Sequence, residues 1–376
     1  MRRNAVRHAY ATKHDCACAA GVDSGTLTFE NFCQPSSPPV SSGAGLIIHQ
    51  HPAVSSTQDA RKSRLAQLEA EQEKAKEERL MQLDAGCWQD MAEHGLFQKA
   101  EDLLTSAADL EEKKVGQTER YATLMHALGA LYDFRSNVDV TGQQQMLSLK
   151  SAKFAERAVK VLHALVAKAI NDQIMGVTDG ATAQDGNRLS DQLAKSLLMR
   201  GKSLCNTALD GSPSLEMTAE SAFDDAERDV KDAAAIREKL RHSQLAEAVM
   251  AVGYVYYCRA CRVLNSPDAD SVVGQIDYME ENYTMALEHY KRSLQMYIER
   301  VGNEHADSIR MRCNIALVYN VMSRMPCEKR MEYIEEAEKQ YREVLKTQEK
   351  VFGKRHQRTQ RLEIDLQNIE ERKAQM

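Results

Sequence analysis

The chain has 376 residues, 43% of them hydrophobic and 28% charged, with a formal net charge of −6. That apolar share is too high for a chain unfolded throughout, and the acidic balance excludes a general nucleic-acid binder, which carries a basic footprint. No apolar run approaches the roughly 18 residues that cross a bilayer, so no membrane partner is expected.

Residues 1–57 are rich in Ser, Pro, Gly and His and lack apolar periodicity. They are expected to form an extended or disordered arm. Arg2, Arg3, Arg7 and Lys13 precede the first acid, Asp15. This composition suits a mitochondrial presequence or a plain basic tail. No apolar core follows it, so no secretory leader is expected. Cys16, Cys18 and Cys33 with His8, His14, His49 and His51 offer ligand atoms at irregular spacing, and no metal is assigned to them. Residues 58–83 are dense in charge, with a thin apolar stripe at Leu65, Leu68 and Ala75. They read as a solvated lead-in helix supported by paired charges.

From residue 84 to 356 one spacing recurs. Ala100, Ala286 and Ala337 are each followed after four residues by Leu104, Tyr290 or Tyr341, and after sixteen by Gly116, Gly302 or Gly353. Cys87, Trp88 and Met91 form one apolar stripe, Gly95 breaks it, and Phe97, Ala100, Leu104 and Ala107 form a second. Two helices joined by such a turn are expected to pack antiparallel. An alanine at the crossing lets the backbones approach. The first stripe returns as Leu128-Gly129 with Tyr132, Val252-Gly253 with Tyr256, and Ile315-Ala316 with Tyr319. The second returns as Ala226, Val230 and Ala233. Repetition of one supersecondary unit is the mark of a solenoid. Helix pairs are expected near 84–115, 119–170, 189–240, 243–301 and 305–351. Residues 357–376 are expected to hold a capping helix that keeps the open end soluble.

These residues resemble the tetratricopeptide repeat. The run Tyr283, Ala286, Tyr290, Leu294, Gly302, His305, Asp307, Asn314, Ile315, Ala316 and Tyr319 is similar to the longer variety found in kinesin light chains. The resemblance implies an all-α, right-handed superhelix of antiparallel pairs. Extra residues make it an irregular one: expected loops at 137–150 and 172–188, a long turn between Tyr319 and Ala337, and a longer one between Tyr256 and Ala286. The resemblance further implies a groove lined by the first helix of each pair. His126 and Ala127, Met250 and Ala251, and Cys313 and Asn314 would face it. An amide such as Asn314 both donates and accepts, which suits an extended peptide backbone. His305 and His356 would belong to inter-helix turns.

Other chemistry is thinly represented. Cys258 and Cys261 make a lone C-x-x-C inside a helical pattern, without the second pair a zinc site needs. Asp172–Asn187 lacks calcium-loop spacing, and no phosphate-loop or nucleophile-elbow motif occurs. Lys354, Arg355, Arg358 and Arg361 form a basic patch for an acidic partner or a solvated helix start. The nine cysteines fit no disulfide framework, which points to a reducing compartment. The expectation is therefore a non-catalytic scaffold or adaptor without cofactor, in the cytoplasm with a cytoskeletal or ciliary setting or, as the alternative, in the mitochondrion, whose partners are proteins or extended peptides. Nucleic acid is expected only through an assembly. The alternatives are a structural subunit of a large cytoskeletal or ciliary assembly, or of a mitochondrial RNA-associated complex.

Overall fold

The helix boundaries follow local chemistry. In the computed structural model, which describes residues 54–139, 141–175, 180–209, 218–265 and 274–376, Gly95, Gly116, Gly302 and Gly353 all take positive φ, from 72° to 100°. That conformation ends a helix and is open to glycine at little cost. Helix starts carry side-chain caps. Thr118 accepts from the Tyr121 N–H at 3.2 Å and Thr218 from the Ser221 N–H at 3.2 Å. His305 and His356 cap in the same way through Nδ1, from the Asp307 and Arg358 N–H groups, both at 3.2 Å. These two histidines thus hold inter-helix turns.

Twelve α-helices result among the described residues: α1 (Val54–Met81), α2 (Trp88–Glu93), α3 (Phe97–Lys114), α4 (Glu119–Val138), α5 (Gln144–Ile174), α6 (Gly180–Leu209), α7 (Ala219–Lys239), α8 (Leu245–Leu264), α9 (Ile276–Val301), α10 (Ala306–Met322), α11 (Arg330–Phe352) and α12 (Gln357–Ala374). No strand occurs among the described residues. The helix α1 belongs to one unit of the chain and Leu83–Met376 to another. Within α1 nearly every described side chain is exposed, including Leu65 and Leu68. It begins at Val54, inside the stretch expected to be an arm; the rest of that arm and its Cys/His set lie outside the described residues.

In the second unit each helix packs on the next in sequence, from α2 to α12. The even-numbered helices also touch one another in order: α2 on α4, α4 on α6, α6 on α8 and α8 on α10. The result is an all-α array with a continuous layer of even-numbered helices.

Among the described residues, the irregularity lies in helix length more than in loops. The expected loop at 137–150 shrinks to the turn between Val138 and Gln144, because the Asp139 carboxylate accepts from the Thr141 hydroxyl at 2.6 Å and the Gln143 N–H at 2.8 Å. The expected loop at 172–188 is mostly helix, since α5 runs to Ile174 and α6 begins at Gly180. The extra residues after Tyr256 and Tyr319 partly lengthen α8 to Leu264 and α10 to Met322. A helix satisfies its own backbone polar groups, so added residues cost less there than in a buried loop.

The repeating register is completed by packing. Ala100, Ser151, Ala226, Ala286 and Ala337, one on each odd-numbered helix from α3 to α11, are all 0% exposed. Opposite three of them sits a glycine. A Cβ added at Gly129, Gly201 or Gly253 would lie 3.3, 3.1 or 3.1 Å from the carbonyl oxygen of Ser151, Ala226 or Ala286. Only the absence of a side chain permits this approach. One buried apolar cluster then runs from Ala152 on α5 through Phe223, Val255, Tyr283 and Val318 to Tyr333 on α11.

Candidate functional site

The layer of even-numbered helices is tied together by polar contacts. His126 Nδ1 on α4 lies 3.1 Å from Ser196 Oγ on α6. Lys202 on α6 reaches Asp133 on α4 at 3.2 Å. Tyr254 on α8 donates to Asn206 Oδ1 on α6 at 2.7 Å, and Arg372 on α12 donates to Asn320 Oδ1 on α10 at 3.1 Å.

The expected groove residues fall along this layer. His126 is half-buried and Ala127, at 4% exposed, is in the core, so His126 is the accessible member of that pair. Burial, helped by Lys195, pushes the His126 imidazole down to about 4. The ring is therefore neutral at physiological pH and unsuited to acid–base work there. Met250 and Ala251 on α8 are half-buried, and both pack beside the main core. Cys313 and Asn314 on α10 are half-buried as well. The Cys313 sulfur accepts from Gln348 Nε2 at 3.6 Å, while Ile315 and Ala316, next in the chain, are buried.

The basic patch is solvated. Lys354, Arg355, Arg358 and Arg361 are all exposed around the start of α12. Lys354 is 4.0 Å from Glu349, and the nearby His356 ring stacks on Phe352 with centroids 5.0 Å apart.

Buried ionisable groups are engaged in structural contacts. Cys258 and Cys261 lie one turn apart in α8 and both are buried. Burial pushes the Cys261 thiol up to about 12, and Tyr283 Oη donates to its sulfur at 3.6 Å. A thiol so held is not a nucleophile at neutral pH. Among the described residues no three His, Cys, Asp or Glu side chains converge as a metal-binding group. A cleft beside the start of α4 is lined by Leu83, Glu111, Thr118 and Arg120. Its carboxylate is taken up by Thr118 Oγ1 at 2.6 Å and Arg120 Nη1 at 2.9 Å.

Several structural residues escaped the sequence reading. Ser151 replaces the packing alanine, so a search for alanine passes over it. Gly201 has Leu204 three residues on instead of the expected Tyr. Arg237 continues the stripe Ala226, Val230, Ala233, a position where an apolar residue belongs, and is 1% exposed. It donates to the Gln244 carbonyl, Gln244 Oε1 and Glu247 Oε2, each at 3.0 Å, and so fastens the turn from α7 to α8.

No protein-family model matches the chain, and no curated protein matches it.

Proposed function

We propose that this chain is a non-catalytic scaffold or adaptor that holds partner proteins on the layer formed by its even-numbered helices. The observation that carries this reading is the continuity of that layer. Half-buried His126 on α4, Met250 and Ala251 on α8, and Cys313 and Asn314 on α10 lie along it. Stacked helix pairs generate extended surfaces of this kind, whose usual use is partner binding. The finer parts of the reading belong to the same proposal: a right-handed superhelix of antiparallel pairs, of tetratricopeptide type with kinesin-light-chain-like spacing. A cytoplasmic setting is consistent with it, and no described helix is long and apolar enough to cross a membrane.

The test combines affinity purification with one substitution. Partners identified by mass spectrometry from cells expressing the full chain are assayed against Asn314→Ala. A half-exposed polar substitution of this sort is expected to change stability by under about 0.5 kcal/mol. Loss of a hydrogen bond to a bound backbone is expected to weaken binding by about 1–3 kcal/mol. Unchanged affinity with unchanged stability would move the attachment to the odd-numbered helices or the loops.

A further inference from the structure

Two arginines meet at one buried serine at the end of α10, and a third follows that serine in the chain. Ser323 is 0% exposed. Arg330 Nε, at the start of α11, donates to its carbonyl at 3.1 Å. Arg372 Nη1, near the end of α12, donates to its hydroxyl at 2.5 Å and to Asn320 Oδ1 at 3.1 Å. Arg324 follows Ser323 in the chain. All three arginine side chains are half-buried, and none forms an ion pair among the described residues. Burial, then Arg324, then Arg330 push the Arg372 guanidinium down to about 10, so the three cations feel one another.

Several half-buried arginines find carboxylates: Arg259 is within 4.0 Å of Glu220, Asp224 and Glu227, Arg120 meets Glu111 at 2.9 Å, and Arg310 meets Asp307 at 2.9 Å. Arg262 and Arg312 instead bond single neutral oxygens, the Ala208 carbonyl at 2.5 Å and Asn303 Oδ1 at 2.8 Å, and neither shares its oxygen with a second arginine. A protein with 55 acids and 49 bases does not lack carboxylates to supply. The acids near the trio are otherwise engaged or turned to solvent. Glu338 is held by Lys373 at 2.8 Å and Arg342 at 2.6 Å, while Glu328 and Glu332 are exposed. The carbonyl end of α10 offers roughly half a negative charge against three positive ones. Each guanidinium has five N–H donors. The contacts to Ser323 and Asn320 orient Arg330 and Arg372 while leaving most of those donors unused.

We infer that Arg324, Arg330 and Arg372 form a binding site for a phosphomonoester carried by a segment of a partner protein. A phosphomonoester brings about −1.5 to −2 charges and three acceptor oxygens at neutral pH, which matches a trio of forked donors better than a single carboxylate does. Glu328, Glu332 and Glu335, exposed and close to Arg330 in the chain, disfavour a long polyanion such as RNA relative to one compact anionic group. The site deepens the scaffold reading and rests on it for the source of the phosphate.

The test uses the full chain with four probes: inorganic phosphate, a degenerate peptide pool with central phosphoserine, the same pool with serine, and a short single-stranded RNA. The phosphoserine pool is expected to bind about tenfold or more tightly than the serine pool. Inorganic phosphate is expected to compete with it. Arg324→Gln with Arg330→Gln should abolish the difference, while Arg355→Gln with Arg358→Gln in the exposed patch should leave it. Arg372 joins α10 to α12, so its variant is read only beside a thermal melt. Equal binding of the two pools, or a preference that survives the Arg324/Arg330 double variant, overturns the site. RNA binding lost in that same variant overturns the assignment to a protein partner. Recovery of partners through Asn314 together with indifference to phosphate would sink this site and leave the scaffold reading standing.

Discussion

Asp229 is a carboxyl in the wrong place for a charge. It is 2% exposed on α7, with Arg200 Nε of α6 at 3.2 Å. Burial outweighs the arginine and pushes its carboxyl from 3.8 up to about 7. The native state therefore keeps a proton that the unfolded chain releases near pH 4. Between those values the unfolded state binds fewer protons, so stability falls as pH rises. At about 1.4 kcal/mol per pKa unit, the loss between pH 4 and 7 has an upper bound of about 4 kcal/mol. Asp229→Asn is expected to flatten this fall, being more stable than the parent at pH 8 by a margin that shrinks at pH 5, in denaturant titrations at both pH values. A margin independent of pH would place the titration elsewhere. Arg237 gives a second check at this scale. Replacing it with Ala removes three hydrogen bonds, one to a carboxylate, from the α7–α8 turn. The expected cost is about 3 kcal/mol. Partial rescue by Arg237→Lys, which keeps charge but not the fork, would show how much the geometry contributes.

At the scale of elements, the small residues decide how closely helices approach. Gly253 on α8 faces Ala286 and Tyr290 on α9, and a methyl group there would come within 2.9 Å of the Tyr290 ring. Ala286→Leu is expected to cost about 1–3 kcal/mol by overpacking, read as a lower denaturation midpoint. Stability equal to the parent would mean that α8 and α9 do not meet at this point. Spacing made these positions legible in the sequence, because the same alanine register and the same positive-φ glycines recur. A second contact was not legible. Tyr132 on α4 donates to Glu101 on α3, and Tyr256 on α8 donates to Glu227 on α7, the latter at 2.7 Å. Each glutamate directly follows the packing alanine, Ala100 or Ala226, so both tyrosines repeat one hydrogen bond back to the preceding odd-numbered helix. Tyrosine looks the same in sequence whether its hydroxyl meets a carboxylate or water. For the same reason the arginine trio was invisible: Arg324, Arg330 and Arg372 are separated by up to 48 positions (372 − 324) and converge only through packing. Loop lengths at 137–150 and 172–188 were not legible, because Gly142, Gly180 and Gly186 with their polar neighbours suggest loops there, whereas packing on neighbouring helices carries residues from Gln144 and from Gly180 into helix.

For the whole molecule, an array of stacked pairs has an exposed apolar face at each end unless something covers it. Over α11 that cover is α12. Its Leu362 and Ile369, 7% and 0% exposed, belong to a cluster with Ile309, Ala316, Ile334, Ala337, Tyr341 and Val344. Polar contacts reinforce it, Arg372 to Asn320 at 3.1 Å and Lys373 to Glu338 at 2.8 Å. Burying two such side chains contributes about 1.5–3 kcal/mol each. Removing residues 357–376 would also expose Ile334, Tyr341 and Val344 as one patch on α11, a surface that promotes association. The truncated chain is therefore expected to melt several degrees lower and to self-associate in sedimentation velocity at concentrations where the parent stays in its original state. Ile369→Asp separates the two effects, since it breaks the seat of α12 while keeping the chain length and adding charge. If it lowers the melting temperature without association, the helix still shields the patch while docked more weakly. A truncation that neither melts earlier nor associates would mean that α11 ends the array by itself and that α12 is not its cap.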